Sequence, residues 1–350
     1  MSPSRRSLLR ASRAGGLIVV LATAGCAAAT AGSPVPGRPP AALVPVESES
    51  LSLRVEFETT LEEVNEYWTP ERQKDAVPRD PLLPDDIGLA GADAPTGVVV
   101  DPTAGPPTTD RASVPSNGAG DRADAVASSP HGRLYMSFQD GDSVCSATVV
   151  TADGRDMVVT AAHCVWDTYR GRMADNVMFI PEDSGNGAER PHGTWVATRV
   201  EVPGEFAERA TSTADGYIVG DGWAYDFAFL VMAPAEDGTL IQDVTGGQGI
   251  AFGIPVSDLV VLGYPSAEPF DGASQRFCAS DTWSARVYAY SIACVMTPGA
   301  SGGGWLTSFD PQSRVGYVVA TSSFSDGSSL GAAPLGATAL DLYTQLGGVG

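Results

Sequence analysis

The sequence from about residue 126 onward predicts an all-β fold, a barrel or a sandwich. Three observations carry this: short runs of β-branched and aromatic residues, Gly and Asp punctuation between them, and the lack of a sustained helical stripe. The runs are Arg133–Phe138, Cys145–Val150, Met157–Thr160, Thr194–Val200, Phe227–Met232, Leu259–Leu262, Ala285–Ile292 and Val315–Thr321. Short strands at regular spacing with turn signals close into barrels or pair into sandwiches. One terminal helix is expected around Ala339–Leu346. At 350 residues and 43% hydrophobic content, the chain can bury one large core or two modest ones.

The amino-terminal elements read differently. Arg5, Arg6, Arg10 and Arg13 precede a short apolar stretch, Leu17–Ala24, and then small residues, the layout of a secretory signal. Ser4-Arg5-Arg6-Ser7-Leu8-Leu9-Arg10 resembles a twin-arginine export pattern. Gly and Thr interrupt the apolar run before it reaches the ~20 residues of a membrane span. Leu21-Ala-Thr-Ala-Gly-Cys26 resembles a bacterial lipobox, with Thr23 where Leu is usual, so residues 1–26 are expected to be an export signal and Cys26 a site of lipidation. Membrane attachment would then come only through that anchor. Residues 27–125 hold fourteen of the 26 prolines and are expected to be a tether or pro-segment, largely disordered. Within them, Leu51–Trp68 begins with strand alternation and ends with helical spacing.

Composition excludes one class of partner. Forty-two acidic against 21 basic side chains give a formal net charge of −21, which repels a phosphate backbone, so no nucleic-acid partner is expected. With Cys26 set aside, Cys145, Cys164, Cys278 and Cys294 can form two disulfides in an oxidising compartment, in any of three connectivities.

Chemistry concentrates in three places. Thr160-Ala-Ala-His163-Cys164 sets one of only three histidines beside a cysteine. Thr297-Pro-Gly-Ala-Ser301-Gly-Gly-Gly-Trp305 surrounds a serine with four glycines, so its backbone can adopt conformations closed to other residues and aim amide groups outward. Gly299–Gly303 also fits the nucleophile elbow of α/β-hydrolases, but that fold places its histidine after the serine, and His131, His163 and His192 all precede Ser301. The order His, Asp, Ser remains, and Ala224-Tyr-Asp226-Phe-Ala-Phe-Leu230 supplies an acid among apolar strand residues. There a carboxylate needs fixed hydrogen-bond donors.

TAAHC around His163, YDFAFL around Asp226 and GASGG around Ser301 together resemble the three catalytic blocks of chymotrypsin-like (trypsin-fold) serine proteases. Cys145-Ser-Ala, Leu262-Gly-Tyr-Pro265 and Cys294 are similar to the bacterial secreted branch that includes the glutamyl endopeptidases. The resemblance spans about 126–347 and implies two Greek-key β-barrels, 126–245 carrying His163 and Asp226 and 246–350 carrying Ser301, with a short carboxy-terminal helix. It implies disulfides Cys145–Cys164 and Cys278–Cys294, each closing a loop of about 20 residues and contributing roughly 3 kcal/mol. It also implies a catalytic triad of His163, Asp226 and Ser301, with Gly299 and Ser301 as the oxyanion hole. The expected activity is that of a secreted or surface-anchored serine endopeptidase, a monomer acting on protein or peptide substrates without cofactor or metal. A catalytically silent binding module built on the same blocks is the alternative.

Departures from that pattern bear on activation and specificity. Ala300 stands where animal digestive relatives have the Asp that pairs with a newly cut amino terminus, so that switch is not expected, although the tether could still block the cleft. Val295 occupies the position of the acid that binds basic side chains in trypsin, and Val315–Phe324 holds no histidine of the kind used by glutamyl-specific relatives. A small or apolar preference is expected, with Val295 among the substrate-binding residues and Ser322, Ser323 and Phe324 as the edge that meets the substrate backbone. His131 and His192, beside Pro and Gly, are expected at the surface, with no metal role.

Overall fold

In the computed structural model, residues 52–81, 96–105, 128–184, 190–286 and 289–349 are described. Six strands close on one another: His131–Phe138, Gly141–Val149, Met157–Thr160, Ala228–Met232, Trp195–Pro203 and Asp175–Pro181, the last pairing with the first as well as with Trp195–Pro203. Alternation explains the closure. Leu134, Met136, Val158, Phe179, Val200 and Leu230 point inward and are fully buried.

A second, nine-stranded sheet follows. Its main path runs Arg276–Ser280, Leu259–Gly263, Gly304–Asp310, Val315–Ser325, Ser329–Pro334, Ala289–Ala293 and Ser284–Arg286. Gly249–Phe252 joins it in parallel to Val315–Ser325 and antiparallel to Val98–Val100. Val261, Trp305, Val319, Ile292 and Leu330 form one face of its core. A further cluster joins the two sheets: Met157, Val159 and Phe229 of the first meet Phe252 and Leu262 of the second. The helix Ala337–Gln345 closes over this seam, with the Tyr343 ring 5.9 Å from Phe229 and 5.3 Å from Phe252. The fold is thus the expected all-β one, a closed six-stranded barrel and a second sheet consistent with a trypsin-like double barrel, ended by one helix.

The stretch read as a disordered tether requires correction in two parts. Residues 96–105 supply the strand Val98–Val100 to the second sheet, and residues 52–81 fold onto the first. Ser52–Glu56 adds an edge strand beside Trp195–Pro203. The helix Leu61–Tyr67 starts at Thr60, whose side chain accepts from Glu63 N while the Glu63 carboxylate accepts from Thr60 N. A second helix, Pro70–Asp75, starts at Thr69 with Pro in its first turn. The physical reason lies in the barrel's outer wall, where Tyr135, Val144, Met178, Ile180 and Val196 are apolar too and need cover. Val64 and Trp68 supply it, and Trp68 Nε1 donates to Asn176 O at 2.7 Å. Burying each such side chain contributes roughly 1.5–3 kcal/mol. The signal segment, Cys26 and the rest of the tether lie outside the described residues. No helix among the described residues is long and apolar enough to cross a membrane.

Candidate active site

His163 sits on the single helical turn Ala162–Val165 that follows the strand Met157–Thr160. The Cys145–Cys164 disulfide ties this turn to the neighbouring strand Gly141–Val149. The Sγ atoms beside His163 are therefore bonded to each other and are not free thiolates. Asp226 ends the short turn Gly222–Tyr225 just before the strand Ala228–Met232. Its carboxylate is fully buried and satisfied, accepting from His163 N at 2.9 Å, from His163 Nδ1 at 2.7 Å and from Ser323 Oγ.

Ser301 lies on the loop entering the strand Gly304–Asp310. Gly299 and Gly302 there have φ of +101° and +81°, the left-handed range that favours glycine. A Cβ on Gly302 would stand 2.1 Å from Thr160 Oγ1, so the loop presses directly on the barrel that bears His163. Ser146 fixes this contact, its N donating to Ser301 O at 2.7 Å and its Oγ to Gly299 O at 2.8 Å, while it accepts from Tyr264 N.

Two residues that the sequence did not flag complete the site. Ser301 Oγ donates to Asp80 Oδ1 at 2.7 Å, and Gly299 N reaches the same oxygen at 3.4 Å. His163 Nε2 lies 3.0 Å from Arg79 O, and Arg79 Nε donates to His163 O at 3.0 Å. The serine and histidine side chains therefore meet consecutive residues of one segment.

Residues 145–315, a span holding His163, Asp226 and Ser301, match the trypsin-like peptidase domain family. The chain carries a trypsin-like peptidase domain. Its fold is similar to that of the protease Anisep from Arthrobacter nicotinovorans, at 27% identity and a TM-score of 0.55, covering 64% of this chain and 98% of that one. It is also similar to AL20, a thermostable serine protease from an extremophilic microorganism, at 29% identity and a TM-score of 0.52, covering 64% and 99%. No curated protein sequence matches the chain.

Electrostatics within the trypsin-like domain divide its buried histidines. Burial alone would push the His163 pKa down, but the charge and hydrogen bond of Asp226, with the Asp80 carboxylate behind them, outweigh it and hold it above the ordinary histidine value. Burial raises the Asp80 pKa, opposed by His163 and by the hydrogen bonds from Ser301 and Gly299. His131 was expected at the surface, yet it opens the strand His131–Phe138 and is only 1% exposed. Its Nδ1 meets Thr148 Oγ1 at 2.9 Å and its Nε2 meets Gln248 Nε2 at 3.2 Å, with burial lowering its pKa to about 3. His192 is partly buried between the exposed Pro191 and Gly193. Its imidazole is 10% exposed and its Nε2 lies 2.8 Å from Glu182 Oε2.

The expected substrate contacts separate. Val295 is partly buried beside the Cys278–Cys294 disulfide, and Phe324 lays its ring over Gly331. Ser322 does not fit the expected role: it is fully buried, its Oγ accepts from Trp305 Nε1 at 2.9 Å, and its N and O bond Gly303 O and Gly302 N. Ser323 Oγ faces Asp226. Both serines brace the site from behind.

Proposed function

We propose that this chain is an exported serine endopeptidase that hydrolyses peptide bonds through Ser301, His163 and Asp226. The observation that carries the reading is the buried Asp226 carboxylate, held by three donors and aimed at His163 Nδ1. A carboxylate so placed fixes the imidazole tautomer and stabilises its charged form, leaving Nε2 free for proton transfer once its present partner moves away.

Ser301 Oγ attacks a peptide carbonyl, and His163 takes the hydroxyl proton and passes it to the leaving amine. Water then enters by the same route and releases the acyl group from Ser301. The N–H groups of Gly299 and Ser301 receive the developing oxyanion. The contact from Gly299 N to a carboxylate oxygen supports that role, and one such donor is typically worth about 3 kcal/mol of barrier. Val295 brings no charge to the pocket, so small or apolar side chains are preferred over Lys and Arg. The disulfides, and the signal-like residues 1–26, support export, with Cys26 as the point of acylation.

The test is hydrolysis of casein and of an active ester by purified protein. Ser301→Ala is expected to abolish any hydrolysis the parent shows, and hydrolysis retained by the variant would refute the assignment.

A further inference from the structure

The segment through the active site explains why Ser301 and His163 do not engage each other. Val77 and Pro78 pair in parallel with Ser143 and Val144, and Arg79 N continues the ladder to Val144 O at 3.2 Å. The Arg79 guanidinium then lies 3.7 Å above the Phe138 ring. Asp80 follows and places its carboxylate against Ser301 Oγ and Gly299 N. Val64 on the helix Leu61–Tyr67 and Trp68 just after it anchor the chain before this segment on the barrel wall, so it acts at the high effective concentration of a tethered ligand.

We propose that Val77–Pro81 is a built-in inhibitor of the cleft, with the Asp80 carboxylate holding Ser301 and the Arg79 carbonyl holding His163, so that hydrolysis waits for its displacement. The proposal rests on the reading of Ser301 as nucleophile. Both catalytic groups are disarmed by the same two residues. The Arg79 carbonyl can only accept, so His163 Nε2 carries a proton, and the Asp226 carboxylate can only accept, so Nδ1 carries one as well. An imidazolium cannot take a proton from a hydroxyl. That hydroxyl is in turn directed to Asp80. The group the strap presents to Ser301 Oγ is a side-chain carboxylate, which resists nucleophilic attack, while the Arg79 carbonyl faces His163.

The experiment compares the parent with Asp80→Ala and with the isosteric Asp80→Asn, which keeps an acceptor and covers the case where the alanine variant fails to fold. The rate of covalent labelling of Ser301 by a fluorophosphonate is measured alongside hydrogen exchange at the Arg79 amide. Asp80→Ala is expected to label about tenfold faster or more, with Arg79 exchange accelerated, and Asp80→Asn to fall between. A synthetic peptide of residues 74–81 is expected to slow the alanine variant again, and the same peptide with Asp80 replaced by Ala to leave it unchanged. Equal labelling of parent and variants would overturn the inhibitor and leave the nucleophile intact. No labelling in any form, with the Arg79 amide freely exchanging, would remove the nucleophile reading and the strap with it.

Discussion

His131 and His163 are both buried, yet their neighbours drive them in opposite directions. His163 faces carboxylates at Asp226 and Asp80, whereas His131 faces only the neutral Thr148 and Gln248. The His131 pKa is lowered to about 3 in the fold, so below the ordinary value near 6.5 the unfolded chain takes up a proton that the folded chain cannot. Stability is therefore lost as pH falls from about 6.5 toward 3, on the order of 1 kcal/mol per pH unit. Urea midpoints at pH 7, 6 and 5 are expected to show a shallower decline for His131→Asn than for the parent. The sign at His163 is opposite: its raised pKa favours the fold at low pH, and that contribution fades as pH rises through the folded value. Activity needs the neutral base and rises across the same range. Asp226→Asn is expected to lower kcat on the order of 10⁴-fold and to shift the acidic limb of the pH profile downward, checked by active-ester hydrolysis. At this scale the triad candidates were legible, because rare residues stood in unusual company. His131 was not, since Pro130 and Gly132 make it look like loop and its partners Thr148 and Gln248 are remote along the chain. Ser322 was misread for a similar reason, its hydrogen bonds all going to the nucleophile loop and to Trp305.

Among the elements, seven of the eight strand runs were found where the sequence placed them, whereas Ala285–Ile292, read as one strand, falls in two, Ser284–Arg286 and Ala289–Ala293, which pair antiparallel, and the terminal helix began two residues early at Ala337. The pattern read over Leu51–Trp68, strand alternation and then helical spacing, is the strand Ser52–Glu56 and the helix 61–67 opened by the capping box of Thr60 and Glu63, whereas the helix over 70–75 was missed although Thr69-Pro70 is a helix entry. Proline richness concealed it, and the surface both helices cover is assembled only when the barrel closes. Trp68→Ala is expected to cost about 3–5 kcal/mol through the lost contact with Tyr135 and the cavity left behind, read as a shift in urea midpoint without loss of the barrel. Thr60→Ala is expected to cost about 1 kcal/mol by the same measurement. Tyr343 seals the seam between the sheets against Phe229 and Phe252, and its hydroxyl reaches Thr151 O. Tyr343→Ala is therefore expected to be as damaging as the tryptophan change.

For the molecule as a whole, the order His, Asp, Ser along the chain was enough to choose a two-barrel protease over an α/β-hydrolase, and the sheets agree with that choice. What the sequence could not display is the path of the amino-terminal segment. Asp80 is one of 42 acidic residues with no local pattern to mark it, and only the folded chain brings it to Ser301. The two disulfides are consistent with an exported protein, and the proposed strap would give such a protein a means of withholding activity until it is displaced. The measurement that reaches the central claim most directly is peptide mapping of the adduct formed by a fluorophosphonate on the intact chain carrying Asp80→Ala. The account predicts one adduct, on Ser301, that disappears when His163 is also changed to Ala. An adduct elsewhere, or none on Ser301 in a folded and oxidised protein, would contradict it.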